Sequence, residues 1–454
     1  MTTENKTFEK PLTLRDHYDQ LLKNEPKLIE NYVPTDATQQ REAFFRGDIR
    51  NPDHTYGKLD SINFDENMSG INQVGSAIID IFSEDLNLND KHLPAYNAFI
   101  ENYKAKTHLM HLAHDYKHAI DREEKNRLRH EYMQLNIELY GKPDEATYRS
   151  LLEEKLSKIS AREYSPRGQQ LREELFALVN YDDSTEKIER FRPSKETVEW
   201  MHSVAESLYG GMLSHVPTQE VFTPKETKTI FEAIIREEFS EAAEGWTVDI
   251  EGAKSINVKS AEKRIIIPED RGNLTYQDVR RLVVHELGVH VLRAITGGET
   301  NLDPLRQGLN GYYDAEEGLG VVMEQALMGK FKEAGIPAYI TAGLAYCDGL
   351  DFRDTYEVKW HLSVLEAAKD GRVIGELDIA KAKKTAYGSV VRSFRGTDEL
   401  PWFKDLAYYN GAIEMWKHLE KIKGDDIKFM FILMGKADPA NINHERIMYE
   451  TASI

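Results

Sequence analysis

The sequence predicts a predominantly helical α+β chain. Apolar residues recur at helical spacing through most of residues 14–195 and again towards the C-terminus, while strand-like runs are confined to about 246–268. With 454 residues, 41% of them hydrophobic and 30% charged, the chain can bury several cores and fold into two or three domains.

Residues 1–13 are polar and read as a disordered tail. The segments LRDHYDQLLKN from Leu14, HLPAYNAFIENYKAKTHLMHLAHDYKHAI from His92 and RLRHEYMQLNIELYG from Arg127 each carry an apolar stripe of helical period. Turns are signalled at Arg50-Asn51-Pro52, Gly141-Lys142-Pro143 and Ser165-Pro166. After Arg192-Pro193-Ser194 the texture changes, so a helical N-terminal region over 14–195 and a catalytic region over 196–454 are expected. Thr223-Pro224-Lys225-Glu226 is a capping box with proline at the first helical position, opening a helix to about Phe239. WTVDI and KRIIIP then read as strands, with SINVKS as a third between them. Thr275 and Asp278 have the spacing of another helix start, and VRRLVVHELGVHVLRAI ends at the stop signal Gly297-Gly298. A further apolar helix, GVVMEQALMGKF, follows a pair of adjacent glutamates.

Charge and cysteine content narrow the function. A formal net charge of -19 without a compensating Lys/Arg block argues against nucleic acid as a partner. Cys347 is the only cysteine, so an internal disulfide and a thiolate metal cluster are both excluded. MTTENKTFEK lacks an apolar stretch of signal-peptide length, and no run of about 18 apolar residues suggests a membrane span. A cytoplasmic setting is expected.

His285-Glu286-Leu287-Gly288-Val289-His290 carries the chemistry. Neutral imidazole suits Zn²⁺, and a glutamate beside the first ligand can take a proton from a water on the metal. Histidines five apart diverge by roughly 140° on a regular α-helix. A π-bulge would bring them to one face, and Gly288 removes a side chain where the backbone must distort; an irregular turn at 286–290 is therefore predicted. The apolar flanks LVV and VLRAI favour the metal reading over a solvated helix face. A catalytic zinc takes three protein ligands and keeps one open position. Glu316 and Glu317 could supply the third ligand or merely offset the helix dipole. Glu324, on the Glu317 face, and Asp314 are rival hydrogen-bond partners for a ligand histidine.

Other features carry less. His108, His111, His114 and His118 fall within about 120° of arc on one helix. They could form a second metal site, but with no carboxylate motif beside them the favoured reading is a polar or packed helix face. Thr296-Gly297-Gly298 is a turn signal rather than a phosphate loop. Tyr312 and Tyr313 could pack or could stabilise an oxyanion.

LVVHELGVHVLRAITG followed by YYDAEEGLGVVMEQ resembles the family of microtubule-associated tyrosine carboxypeptidases, whose bacterial members are catalogued as flavohaemoglobin expression-modulating QEGLA motif proteins. The family pattern is HExxxH, a nearby arginine and a QEGLA-like motif. His285, Glu286, His290 and Arg293 match its first part and Glu317-Gly318-Leu319 its second, with Glu316 in place of the glutamine and Gly320 in place of the alanine. Phe394-Arg395-Gly396 and the Lys404–Gly411 segment resemble its FRG and KDxxYLxG segments, Tyr408 matching the tyrosine and Tyr409 replacing the leucine. Phe44-Phe45-Arg46-Gly47, Asn51-Pro52 and Tyr56 are a fainter N-terminal echo.

The resemblance covers about residues 220–420. It implies a thermolysin-like zinc metallopeptidase that removes a C-terminal tyrosine or similar aromatic residue from a protein or peptide tail. It implies one Zn²⁺ per chain on His285, His290 and Glu317, with Glu286 as general base. A terminal carboxylate needs a cation, for which Arg395 and Lys404 are the candidates, with Tyr408 beside them. Two further readings stand: a zinc dipeptidyl- or aminopeptidase, since one dipeptidyl peptidase family also uses HExxxH with a double glutamate, and a non-enzymatic zinc-containing regulatory protein.

Overall fold

A computed structural model describes residues 12–84, 90–179, 189–252, 255–368 and 373–452. The polar tail expected over 1–13 lies mostly outside these residues, but Thr13 does not belong to it. Its side chain caps the helix Leu14–Lys23 in a reciprocal box with Asp16. The helices expected from His92 and Arg127 are Leu93–His118 and Arg122–Tyr140. The second starts earlier than its apolar stripe because Asp121 accepts hydrogen bonds from the Glu123 and Glu124 amides.

The chain is predominantly helical with a small sheet. Thr223 and Glu226 close the expected capping box, and Pro224–Ile234 continues through a π-helical turn, Ile235–Phe239. Three strands follow. Arg264–Pro268 is central, parallel to Thr247–Glu251 and antiparallel to Asn257–Lys259. Its residues Ile265, Ile266 and Ile267 are all buried, which is why this run reads as continuously apolar. Val221–Phe222 pairs separately with Leu274–Thr275, and each of these short strands leads straight into a threonine-capped helix.

Hydrophobic packing runs across residue 195. One core joins helices of the N-terminal region, through Phe44, Leu109, Tyr132 and Leu151, to Tyr356, Phe394 and Trp402. A second surrounds the HExxxH segment and the sheet. A third packs Tyr18, Ile71 and Tyr96 against Leu302 and Leu305. The N-terminal echo also has a place here. Tyr56 donates to Asp398 at 2.6 Å, two residues beyond Gly396 of the FRG segment. No helix among the described residues is long and apolar enough to cross a membrane.

Candidate metal centre

The helix opened by Thr275 and Asp278 runs α-helically over Tyr276–Leu282, is π-helical over Val283–Val291, and returns to α over Leu292–Gly298. The irregularity predicted at 286–290 is there, but it spans nine residues rather than a single bulge. In π winding each amide reaches five residues back, so His285 and His290 share a face. Their ring centroids are 4.8 Å apart. Gly288 serves this segment by close approach. A Cβ there would lie 2.6 Å from Tyr209 Cε1, and the Tyr209 hydroxyl donates to the Gly288 carbonyl at 3.1 Å.

The glutamate pair lies on the helix Tyr313–Leu327, which starts before the expected GVVMEQALMGKF and ends short of Lys330. This helix crosses Ala407–Lys421 so closely that a Cβ on Gly318 would lie 2.2 Å from the Gly411 carbonyl carbon. A Cβ on Gly320 would likewise fall 2.7 Å from His285 Cε1, so the glycine at the alanine position makes room for the imidazole. One donor atom from each of His285, His290 and Glu317 lies within 4.8 Å of the other two, and the group could hold a metal ion.

Each histidine is oriented by a different carboxylate. His285 Nδ1 lies 2.7 Å from Glu324 Oε1, so Glu324, and not Asp314, is its partner. His290 Nδ1 lies 2.8 Å from Glu316 Oε1. An Nδ1–H donating to a carboxylate leaves the Nε2 lone pair for a metal, the usual arrangement around ligand histidines. The donor set of two imidazoles and a carboxylate therefore fits zinc.

The sequence leaves Glu316 open between metal ligand and helix-dipole partner, and the fold instead sets it behind His290. This glutamate is 3% exposed and also receives the buried Arg293 guanidinium, while Lys436 Nζ lies 3.2 Å away. Burial alone would raise its carboxyl pKa; Lys436 and Arg293, with His290, hold it well below the ordinary range instead. Arg293 is anchored by the Gly435 and Ala437 carbonyls, and Lys436 also reaches Ser260 Oγ at 2.9 Å. A fully buried arginine in VLRAI signals Arg293's role, but no local pattern marks Lys436.

Glu286 is buried on the same π-helical segment, between the two histidines. Lys404 contacts the Tyr313 hydroxyl and lies 3.9 Å from that ring's centroid. Burial lowers the Lys404 pKa to about 8, although Glu317 and Asp405 oppose it. The Glu317 carboxylate near Tyr313 adds to burial in raising that hydroxyl's pKa, so the tyrosine neighbours both the lysine and the candidate ligand. Tyr312 packs on the chain instead: a Cβ on Gly308 would lie 2.1 Å from its ring. Tyr408 is within 3.4 Å of Arg392, which pairs with Asp405. Arg395 places its guanidinium 4.6 Å over the Trp402 ring, with its Nε buried without a partner.

Beside these residues a cavity of about 260 Å³ is walled by Tyr103, Tyr140, Tyr312, Tyr313 and Trp402, with Lys404 and Lys436 on its lining. Tyr103 and Tyr140 come from the helical N-terminal region, which thus supplies one wall.

Residues 181–363 match the model of the microtubule-associated tyrosine carboxypeptidase family. The match spans the HExxxH segment and the glutamate helix and supports the family resemblance drawn from those motifs. The family's description is that of a carboxypeptidase, and the match suggests an activity of that type. No curated protein matches the chain.

Proposed function

We propose that the chain is a zinc metallocarboxypeptidase with a thermolysin-like catalytic region, hydrolysing the C-terminal peptide bond of a protein or peptide and favouring tyrosine or another aromatic end. The observation that carries this reading is the convergence of His285, His290 and Glu317, with both histidines backed by carboxylates. The family match adds the reaction class.

His285, His290 and Glu317 would hold one Zn²⁺ per chain. Bound there, zinc acidifies water and polarises a carbonyl oxygen. Glu286 takes one proton from the water as its oxygen adds to the scissile carbonyl carbon. It then delivers that proton to the leaving nitrogen as the C–N bond breaks. Lys404 pairs with the terminal carboxylate, and the Tyr313 hydroxyl beside it can donate to the carbonyl oxygen as charge develops. The tyrosine- and tryptophan-lined cavity next to Lys404 suits an aromatic side chain.

Mass spectrometry of matched peptides tests the proposal. The zinc-loaded protein is expected to release the last residue of a peptide ending in free tyrosine and to spare the C-terminally amidated copy. Equal cleavage of both, or release from the N-terminus, would favour a dipeptidyl- or aminopeptidase.

A further inference from the structure

The helix Leu93–His118 carries the row of histidines that lacks a carboxylate motif in sequence, and the fold provides one. His114 and His118, one turn apart, lie with ring centroids 4.4 Å apart and planes at 34°. Asp60 reaches them from a separate short helix, Gly57–Asp60, with Oδ1 3.9 Å from His118 Nε2. One donor atom from each of Asp60, His114 and His118 lies within 4.8 Å of the other two.

The histidines are also oriented as ligands are. His118 Nδ1 lies 2.8 Å from the His114 carbonyl oxygen, and His114 Nδ1 lies 3.1 Å from Asp115 Oδ1. Donation from each Nδ1–H leaves each Nε2 with a free lone pair. His111 buttresses the row, stacked on Phe64 at 4.6 Å and paired with Asp115 at 3.3 Å. The neighbouring cation, Lys117, is held by Asp53 and Asp398 at 2.7 and 2.6 Å.

We propose that Asp60, His114 and His118 form a second site for a divalent transition-metal ion of zinc type, distinct from the candidate catalytic centre. Imidazole nitrogens with a carboxylate oxygen are a donor set that suits Zn²⁺. Donor atoms on one zinc stand only about 3.3 Å apart, and rotation of the exposed Asp60 and His118 side chains closes the gap. Because Asp60 and His118 are exposed, water completes the coordination and binding is weaker than at the buried centre. An ion there would clamp the short helix Gly57–Asp60 to the end of Leu93–His118.

Equilibrium dialysis of the full chain against buffered free Zn²⁺ tests the site. The wild-type protein is expected to take up one tight and one weaker equivalent. His118→Ala should weaken only the second, by about tenfold or more, and Asp60→Asn should weaken it in the same direction. His290→Ala should remove the tight equivalent and leave the weaker one, so the two sites are read separately. Saturation of the wild type at one equivalent would overturn the proposal, as would a second equivalent that loses less than about tenfold in His118→Ala.

Discussion

His290 and Glu316 are joined through a 2.8 Å hydrogen bond, and the same carboxylate takes up Arg293 and Lys436. The buried anion thus turns the His290 Nε2 outward while two buried cations keep it ionised. Neighbouring glutamates on one helix therefore do different work: Glu317 faces the donor cluster and Glu316 holds one of its histidines.

Glu316→Gln should leave Arg293 and Lys436 buried without their anion. Breaking a buried pair in this way costs about 3–5 kcal/mol, and loss of a ligand's partner lowers metal affinity about 10–100-fold. Adding Lys436→Met should restore part of both. Denaturant melts and chelator competition on the single and double variants measure this, and a Glu316→Gln protein equal to wild type in both would remove the quartet from the account.

Glu286→Gln should keep zinc and lose peptidase activity, because an amide cannot accept the proton from water. The expected loss is about 10²–10⁴ in rate. Metal analysis beside a peptide-release assay separates the two effects, and activity within a few-fold of wild type would take Glu286 out of the mechanism.

Lys404 should set the pH limit on substrate binding. Burial holds its pKa down at about 8, so the cation that pairs with a terminal carboxylate is present below that pH and lost above it. KM for an unblocked peptide should therefore rise as pH passes through 8. Lys404→Met should have a high KM throughout and little preference for free over amidated ends. A KM flat from neutral to alkaline pH would exclude this role.

Gly288→Ala should destabilise the fold by about 1–3 kcal/mol, because its Cβ would press on the Tyr209 ring in a packed core. Thermal melts of the metal-free protein report this directly. An unchanged Tm would mean that the π-helical segment has room to spare.

Much of this architecture is legible in the sequence. The capping boxes at Thr223 and Thr275 locate two helices around the sheet because their partners are three residues away. The five-residue spacing of His285 and His290 points to π winding once both are read as ligands of one ion. What the sequence hides is long-range. Lys436 meets Glu316 from 120 residues further along the chain, as their numbering gives. Tyr103 joins Trp402 on a cavity wall, and Asp60 faces His118, only after helices with no shared motif have packed. Gly288 reads as relief for a strained turn, yet its neighbour Tyr209 comes from another helix.

The zinc content of purified chains, after dialysis against a mild chelator that clears exposed sites, tests the central claim most directly. The account predicts about one zinc per wild-type chain and a large loss in His285→Ala, His290→Ala and Glu317→Ala. Unchanged zinc in both histidine variants would contradict it.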